Sequence, residues 1–194
     1  MLTITSQKMT RLTTLARKIM ECEKCFARNE KIWFPGVGNP DSKLMFIGEA
    51  PSIHRDFNLP FGMKSRKVFE EILTELGQTR ETVWTTNVVK CIRLHKHTGI
   101  LEKCVPYLRE EIDIINPESI ILFGREVVDT VMQMFTVKPS DVRIPLNGHC
   151  VNHKEYRFIT MYHPMTVIYH PESRNVYFNI VKKIETLIQR PKGA

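Results

Sequence analysis

The sequence predicts an α/β protein: a three-layer α/β/α sandwich around a central, mainly parallel sheet of four strands. Two patterns predict it. Short apolar runs of strand length alternate with longer segments in which apolar residues recur every three or four positions. Two of the runs, LMFIG and SIILFG, end in glycine, where a strand gives way to a loop or helix. Strands separated by helices join in parallel, and a parallel sheet must be covered on both faces.

The elements follow in order. Met9, Leu12, Ala16 and Ile19 keep helical spacing and lead into the first cysteines. LMFIG (44–48) is a buried strand. Val68, Ile72 and Leu76 mark one face of a helix that Gly77 ends. VWTTNVV (83–89), rich in β-branched residues, is the second strand. Val105, Leu108, Ile112 and Ile115 form a helix closed by Asn116-Pro117. SIILFG (119–124) is the third strand, followed by a helix through Val127, Val131 and Phe135. The stretch 136–157, with its two prolines and one glycine, reads as loop with room for a short hairpin. FITMYH (158–163) is the fourth strand. A last helix carries Val176, Ile180, Ile184 and Leu187.

A chain of 194 residues is one ordinary domain, 1–194, with a core of useful size. A hydrophobic content of 42% is globular, and no run reaches membrane-spanning length. Net charge is +7, with pI near 9.2. Lysine and arginine excess suits a polyanion, because neutralised phosphates release counterions. The opening MLTITSQKMTRL has no apolar signal core, so an intracellular, cytoplasmic chain is expected, acting as a monomer. Open parallel sheets bind ligands at the carboxyl ends of their strands. One site is therefore expected from the segments after Ile47, around Asn87, after Phe123 and around His163.

Cys22 and Cys25 form a C-x2-C pair, and Cys91 and Cys104 form a C-x12-C pair far downstream. Thiolates hold iron–sulfur clusters and structural zinc alike, and the spacing does not choose between them. Disulfides are rare in a reducing compartment. Cys150 stands apart and reads as a small buried hydrophobe.

Three segments at strand ends carry chemistry: GEAPSIHRD (48–56) with LPFG (59–62), TTNVVKC (85–91) and YHPM (162–165). In this order, interleaved with the four cysteines, they resemble the motifs of the family 4 uracil-DNA glycosylases: GEAPG-x-x-ED with a following PF, TN-x-VKC, and HP-[SA]. The resemblance runs from about Phe34 to Pro171, with the first cysteine pair before it. It implies a [4Fe–4S] cluster on Cys22, Cys25, Cys91 and Cys104. It also implies a monofunctional hydrolase that cuts the N-glycosidic bond of deaminated bases, uracil above all, in base excision repair of DNA.

The resemblance implies roles that the residue types suit. A glycosylase extrudes its base into a pocket and reads the exposed edge. Phe61 would stack on that base, and Asn87 would read it, since a carboxamide both donates and accepts. His163 would donate to the carbonyl oxygen that gains charge as the bond breaks. Backbone N–H groups after Gly48, at Glu49 and Ala50, would add donors. Glu49, and then Asp56, would orient water or stabilise the positive sugar. Arg93 and Lys96, in the basic loop between the last cysteines, would meet phosphate. Met165 opens an apolar stretch to Ile168 that would wedge into the minor groove or pack on the next helix. Ser52 replaces the small Gly of the first motif, Arg55 replaces an acid, and the segment up to Phe61 is one residue shorter. These departures keep two alternatives open: another base such as hypoxanthine, or a cluster protein that only binds nucleic acid.

Overall fold

The computed structural model describes residues 3–24, 33–51, 63–91, 100–138 and 146–189. Among these residues six strands form one sheet in the order β1-β3-β2-β4-β6-β5. β2 (Leu44–Gly48), β3 (Trp84–Asn87), β4 (Ser119–Phe123) and β6 (Tyr156–Met161) are the four expected strands. They are mutually parallel. Two edge strands, β1 (Val37–Gly38) and β5 (Asn147–His153), add antiparallel pairs. The sheet is thus wider than the four-stranded one expected. The segment read mainly as loop supplies β5, which forms a hairpin with β6.

The apolar runs are continuous because both faces of the sheet are covered. Within them the side chains still alternate. Met45, Ile47, Ile120, Leu122 and Phe158 face one layer, packed under α3 (Ile100–Ile115) and α4 (Arg125–Met134). Leu44, Phe46, Ile121, Phe123, Ile159 and Met161 face the other. That second layer is α2 (Met63–Glu75), α5 (Met165–Tyr169) and α6 (Arg174–Gln189). α1 (Ile4–Met20) lies outside α3, touching it through Leu15 and Ile19 against Tyr107 and Ile114. Phe46 stacks on Phe123, with ring centroids 5.8 Å apart, and meets Phe69 edge-on at 5.2 Å.

Helix ends obey local chemistry. After α2, Gly77 takes φ +63°, and the Gln78 N–H donates to the Leu73 carbonyl at 2.8 Å, closing the helix. Asn116, at φ +51°, closes α3. Lys8 of α1 donates to the last carbonyl of α3, at Ile115, at 2.9 Å. In α6 the buried face is Tyr177, Ile180, Val181 and Ile184. The expected Val176 is 64% exposed, because Tyr177 turns inward in its place. Among the described residues no helix is long and apolar enough to cross a membrane.

Connectivity places the crevice. α2 carries the chain from β2 outward to β3, whereas α3 carries it back across β2 to β4. The winding reverses between β2 and β4, and in open α/β sheets that reversal opens a cleft above the strand ends.

Candidate active site

Four strand ends face this cleft. β2 ends at Gly48, which is paired in register with Asn87 of β3. The pairing continues past both strands, as the Val88 and Val89 N–H groups donate to the Gly48 and Glu49 carbonyls, each at 2.9 Å. The GEAP segment and the TTN segment therefore leave the sheet side by side. On the far side of β2, β4 ends at Phe123-Gly124. Gly124 takes φ +93°, a conformation that side chains rarely adopt. Among the described residues a Cβ there would meet nothing within 4 Å. The Gly124 N–H donates to the Met161 carbonyl at 2.8 Å, and β6 then delivers Tyr162 and His163.

His163 is held in one state. Its Nδ1 accepts the Met165 N–H at 3.1 Å, as α5 begins. In the neutral ring the proton then sits on Nε2, which becomes a donor. Burial drives the imidazole down to about pKa 4, against a smaller upward pull from the Glu49 charge. The ring is thus neutral at physiological pH, with Glu49 near enough to act on it. It stands edge-on to Phe123 at 6.3 Å. The Tyr177 hydroxyl donates to the Tyr162 carbonyl at 3.0 Å and pins the adjoining backbone. Burial holds the Tyr177 phenol well above its usual value.

Asn87 is 1% exposed at the end of β3. Ala50 packs with Val89, Ile100, Cys91 and Cys104, so the first motif rests on the cysteine-bearing segments. Met165 is half-buried at the start of α5. Behind it Val167 is buried and Ile168 packs on the same core. Both therefore contribute to the packing of this layer. Phe61, Asp56, Arg93, Lys96 and Cys25 lie outside the described residues, as do Ser52 and Arg55.

Cys91 and Cys104 share one apolar packet. Cys22 packs with Tyr107, one turn along α3 from Cys104. Burial raises the Tyr107 phenol, helped by a hydrogen bond with Cys22 and by charge on Cys22 and Cys104. Three of the four expected ligands thus gather around the start of α3, from segments remote in sequence. None of them forms a disulfide. Among the described residues no three Cys, His, Asp or Glu side chains close on one point. Cys150 packs into the opposite layer, where burial pushes its thiol up.

A buried ionic knot lies directly beneath, and of its pair the motifs contain only Lys90. Glu111 of α3, 1% exposed, accepts from the Gly36 N–H at 2.8 Å, the Trp84 indole at 3.2 Å and the Thr86 hydroxyl at 2.8 Å. It also pairs with Lys90, itself 2% exposed. The signal was an acid on an apolar helical stripe, between Leu108 and Ile112.

The family model described as "Uracil DNA glycosylase superfamily" matches residues 35–184. A type-4 uracil-DNA glycosylase of Archaeoglobus fulgidus is 33% identical over 187 residues, covering 92% of this chain and 94% of its own. Those of Saccharolobus solfataricus and Sulfurisphaera tokodaii are 31% and 30% identical. They cover 94% and 95% of this chain, and 89% and 88% of their own. With the family model spanning most of the sequence and relatives aligned almost end to end, the chain belongs to the uracil DNA glycosylase superfamily and, within it, to the type-4 uracil-DNA glycosylases.

Proposed function

We propose that this protein hydrolyses the N-glycosidic bond of deoxyuridine in DNA, releasing uracil and leaving an abasic site for base excision repair. The observation that carries the reading is His163. Its Nδ1 is occupied by the Met165 N–H and its ring is kept neutral by burial, so Nε2 offers a fixed proton. As the bond to the sugar breaks, negative charge grows on the uracil carbonyl oxygen. A preset donor strengthens there at no reorganisation cost. A neutral donor also avoids binding ground-state anions as tightly as the transition state.

The other roles follow from position. Asn87, at the neighbouring strand end, reads the base edge by donating to one carbonyl and accepting from the ring N–H. Phe61 stacks on the extruded base. Glu49 faces the sugar, orienting water and stabilising its developing positive charge, with Asp56 as the second acid. The N–H groups at Glu49 and Ala50 supply further donors. Arg93, Lys96 and Met165 meet the DNA. Cys22, Cys25, Cys91 and Cys104 would hold a [4Fe–4S] cluster. The all-thiolate donor set fits it, as does the gathering of three of these cysteines around α3. Bound there, the cluster would brace the loops that carry Ala50 and Asn87, since the hydrolysis transfers no electrons.

The test is excision from oligonucleotides holding uracil, hypoxanthine or xanthine, alongside iron and sulfide analysis of anaerobically purified protein. Uracil release with about four irons per chain is expected for a cubane cluster. Release of hypoxanthine alone would reassign the base, and no release from any base would leave a nucleic-acid-binding protein. About one zinc and no iron would refute the cluster. His163→Ala should lower single-turnover excision by roughly 10²–10³ with DNA affinity unchanged.

A further inference from the structure

Among the described residues Lys90 and Glu111 are the most deeply buried charges, and burying them needs a reason. An apolar pair of similar volume would commonly serve stability as well. Their connections suggest what they do. The Glu111 carboxylate accepts from three groups on two segments at once. Gly36 belongs to the stretch entering β1. Trp84 and Thr86 project from one face of β3, as alternate residues must. Lys90 lies beyond the end of β3, and its ammonium turns back to the Thr86 hydroxyl at 2.7 Å as well as to Glu111.

Two of these groups are neighbours in sequence of a proposed functional position. Thr86 precedes Asn87, and Lys90 precedes Cys91. The Lys90 carbonyl accepts the Phe34 N–H at 2.8 Å, and Trp33 bridges Cys91. Cys104 lies on the same helix as Glu111, about two turns earlier. At Gly36 a Cβ would drive into the Glu111 carboxylate and the Trp84 indole, so the backbone has closed up against this carboxylate. A group that only filled space would not need so close an approach.

We propose that Glu111 is a positioning residue: through Thr86, Lys90 and Gly36 its buried carboxylate sets how Asn87 meets the base and how Cys91 meets the cluster. This rests on the functional reading above. The carboxylate fixes the β3 exit at both ends, with Thr86 on the strand and Lys90 beyond it. Between those two points lies the turn of the chain that presents Asn87. The same anchor leaves Cys91 one peptide away from a rigid point. Base reading and cluster retention are therefore coupled without direct contact between the two.

The variants are Glu111→Gln and the double variant Lys90→Met with Glu111→Gln, in the full chain. The glutamine still accepts from Gly36 and Trp84, and the double variant buries no charge. A purely structural knot predicts that uracil affinity and iron retention return together with thermal stability in the double variant. The positioning role predicts otherwise. With melting temperature near wild type, inhibition by free uracil should weaken, and a ferrous chelator should remove iron faster. Each effect should reach about 10–100-fold, as for other outer-shell partners. A folded, iron-loaded double variant that binds uracil and keeps its iron like wild type overturns the proposal. If the double variant does not fold, Thr86→Val removes only the bridging hydroxyl and carries the same expectations. Wild-type protein lacking both iron and uracil excision overturns the functional reading itself, and this inference with it.

Discussion

Replacing His163 by Asn removes a proton site that folding has weakened, and the loss should be readable as a change in how stability depends on pH. The imidazole falls from its ordinary 6.5 to about 4 in the folded chain, chiefly by burial. Between those values the unfolded chain binds a proton that the folded chain refuses. Stability from this group is therefore full above pH 6.5 and lost as pH falls toward 4. Taking both values, the contribution at pH 7.5 exceeds that at pH 4.5 by about 2.5 kcal/mol. For a domain of this size that is about 5–10 °C in melting temperature. The assay is thermal melting of wild type and His163→Asn, side by side under anaerobic conditions, at pH 7.5, 6.5, 5.5 and 4.5. Other acid effects are common to both proteins, so the difference between the two curves isolates His163. Wild type should lose more stability on acidification than the variant, by roughly the stated amount. A constant difference across the range would refute the buried, neutral ring and, with it, the preset Nε2 donor.

Three further outcomes are expected. Lys90→Met alone strands the Glu111 carboxylate in the core and should cost about 3–5 kcal/mol in denaturant unfolding, more than Glu111→Gln costs. Gly36→Ala forces a methyl against the Glu111 carboxylate and the Trp84 ring, and should cost about 1–3 kcal/mol by the same measurement. Arg93→Ala and Lys96→Ala should each reduce the log–log salt slope of DNA binding by about one, measured by titration at several salt concentrations; an unchanged slope would move the phosphate contact elsewhere.

Much of the fold was legible because burial on both faces writes itself into consecutive residues. LMFIG is apolar throughout and SIILF after its serine, and they became β2 and β4. The edge strands lack that imprint. β1 is two residues held by backbone pairing, and β5 reads NGHCVNH, with only Val151 fully buried. Tyr177 and Val176 are both apolar enough to fill one helical position, and only packing decides between them. At the site, Gly48 and His163 stood out because each ends a largely apolar run, Asn87 because of its motif, and parallel strands bring such ends together. The partnership of Lys90 with Glu111 spans 21 residues and two elements. Each charge alone resembles a solvated one, although the apolar neighbours of Glu111 carried a hint. The tautomer of His163 depends on one backbone N–H two residues on, which sequence does not disclose.

The two outermost strands also decide what the sheet can no longer do. An open row of backbone donors and acceptors is a template on which another chain can add a strand. β1 offers such a row for only two residues, and its Gly38 turns away at φ +127°, so close to the Val83 carbonyl that a Cβ would not fit. β5 is longer, but its ladder slips between Asn147 and His149, where Gly148 takes φ +79° above Ile180 of α6. One margin is too short to recruit a partner strand and the other is kinked out of register. A sheet that is parallel at its centre, and so slow to assemble, is thereby protected at both borders against growing into its neighbours.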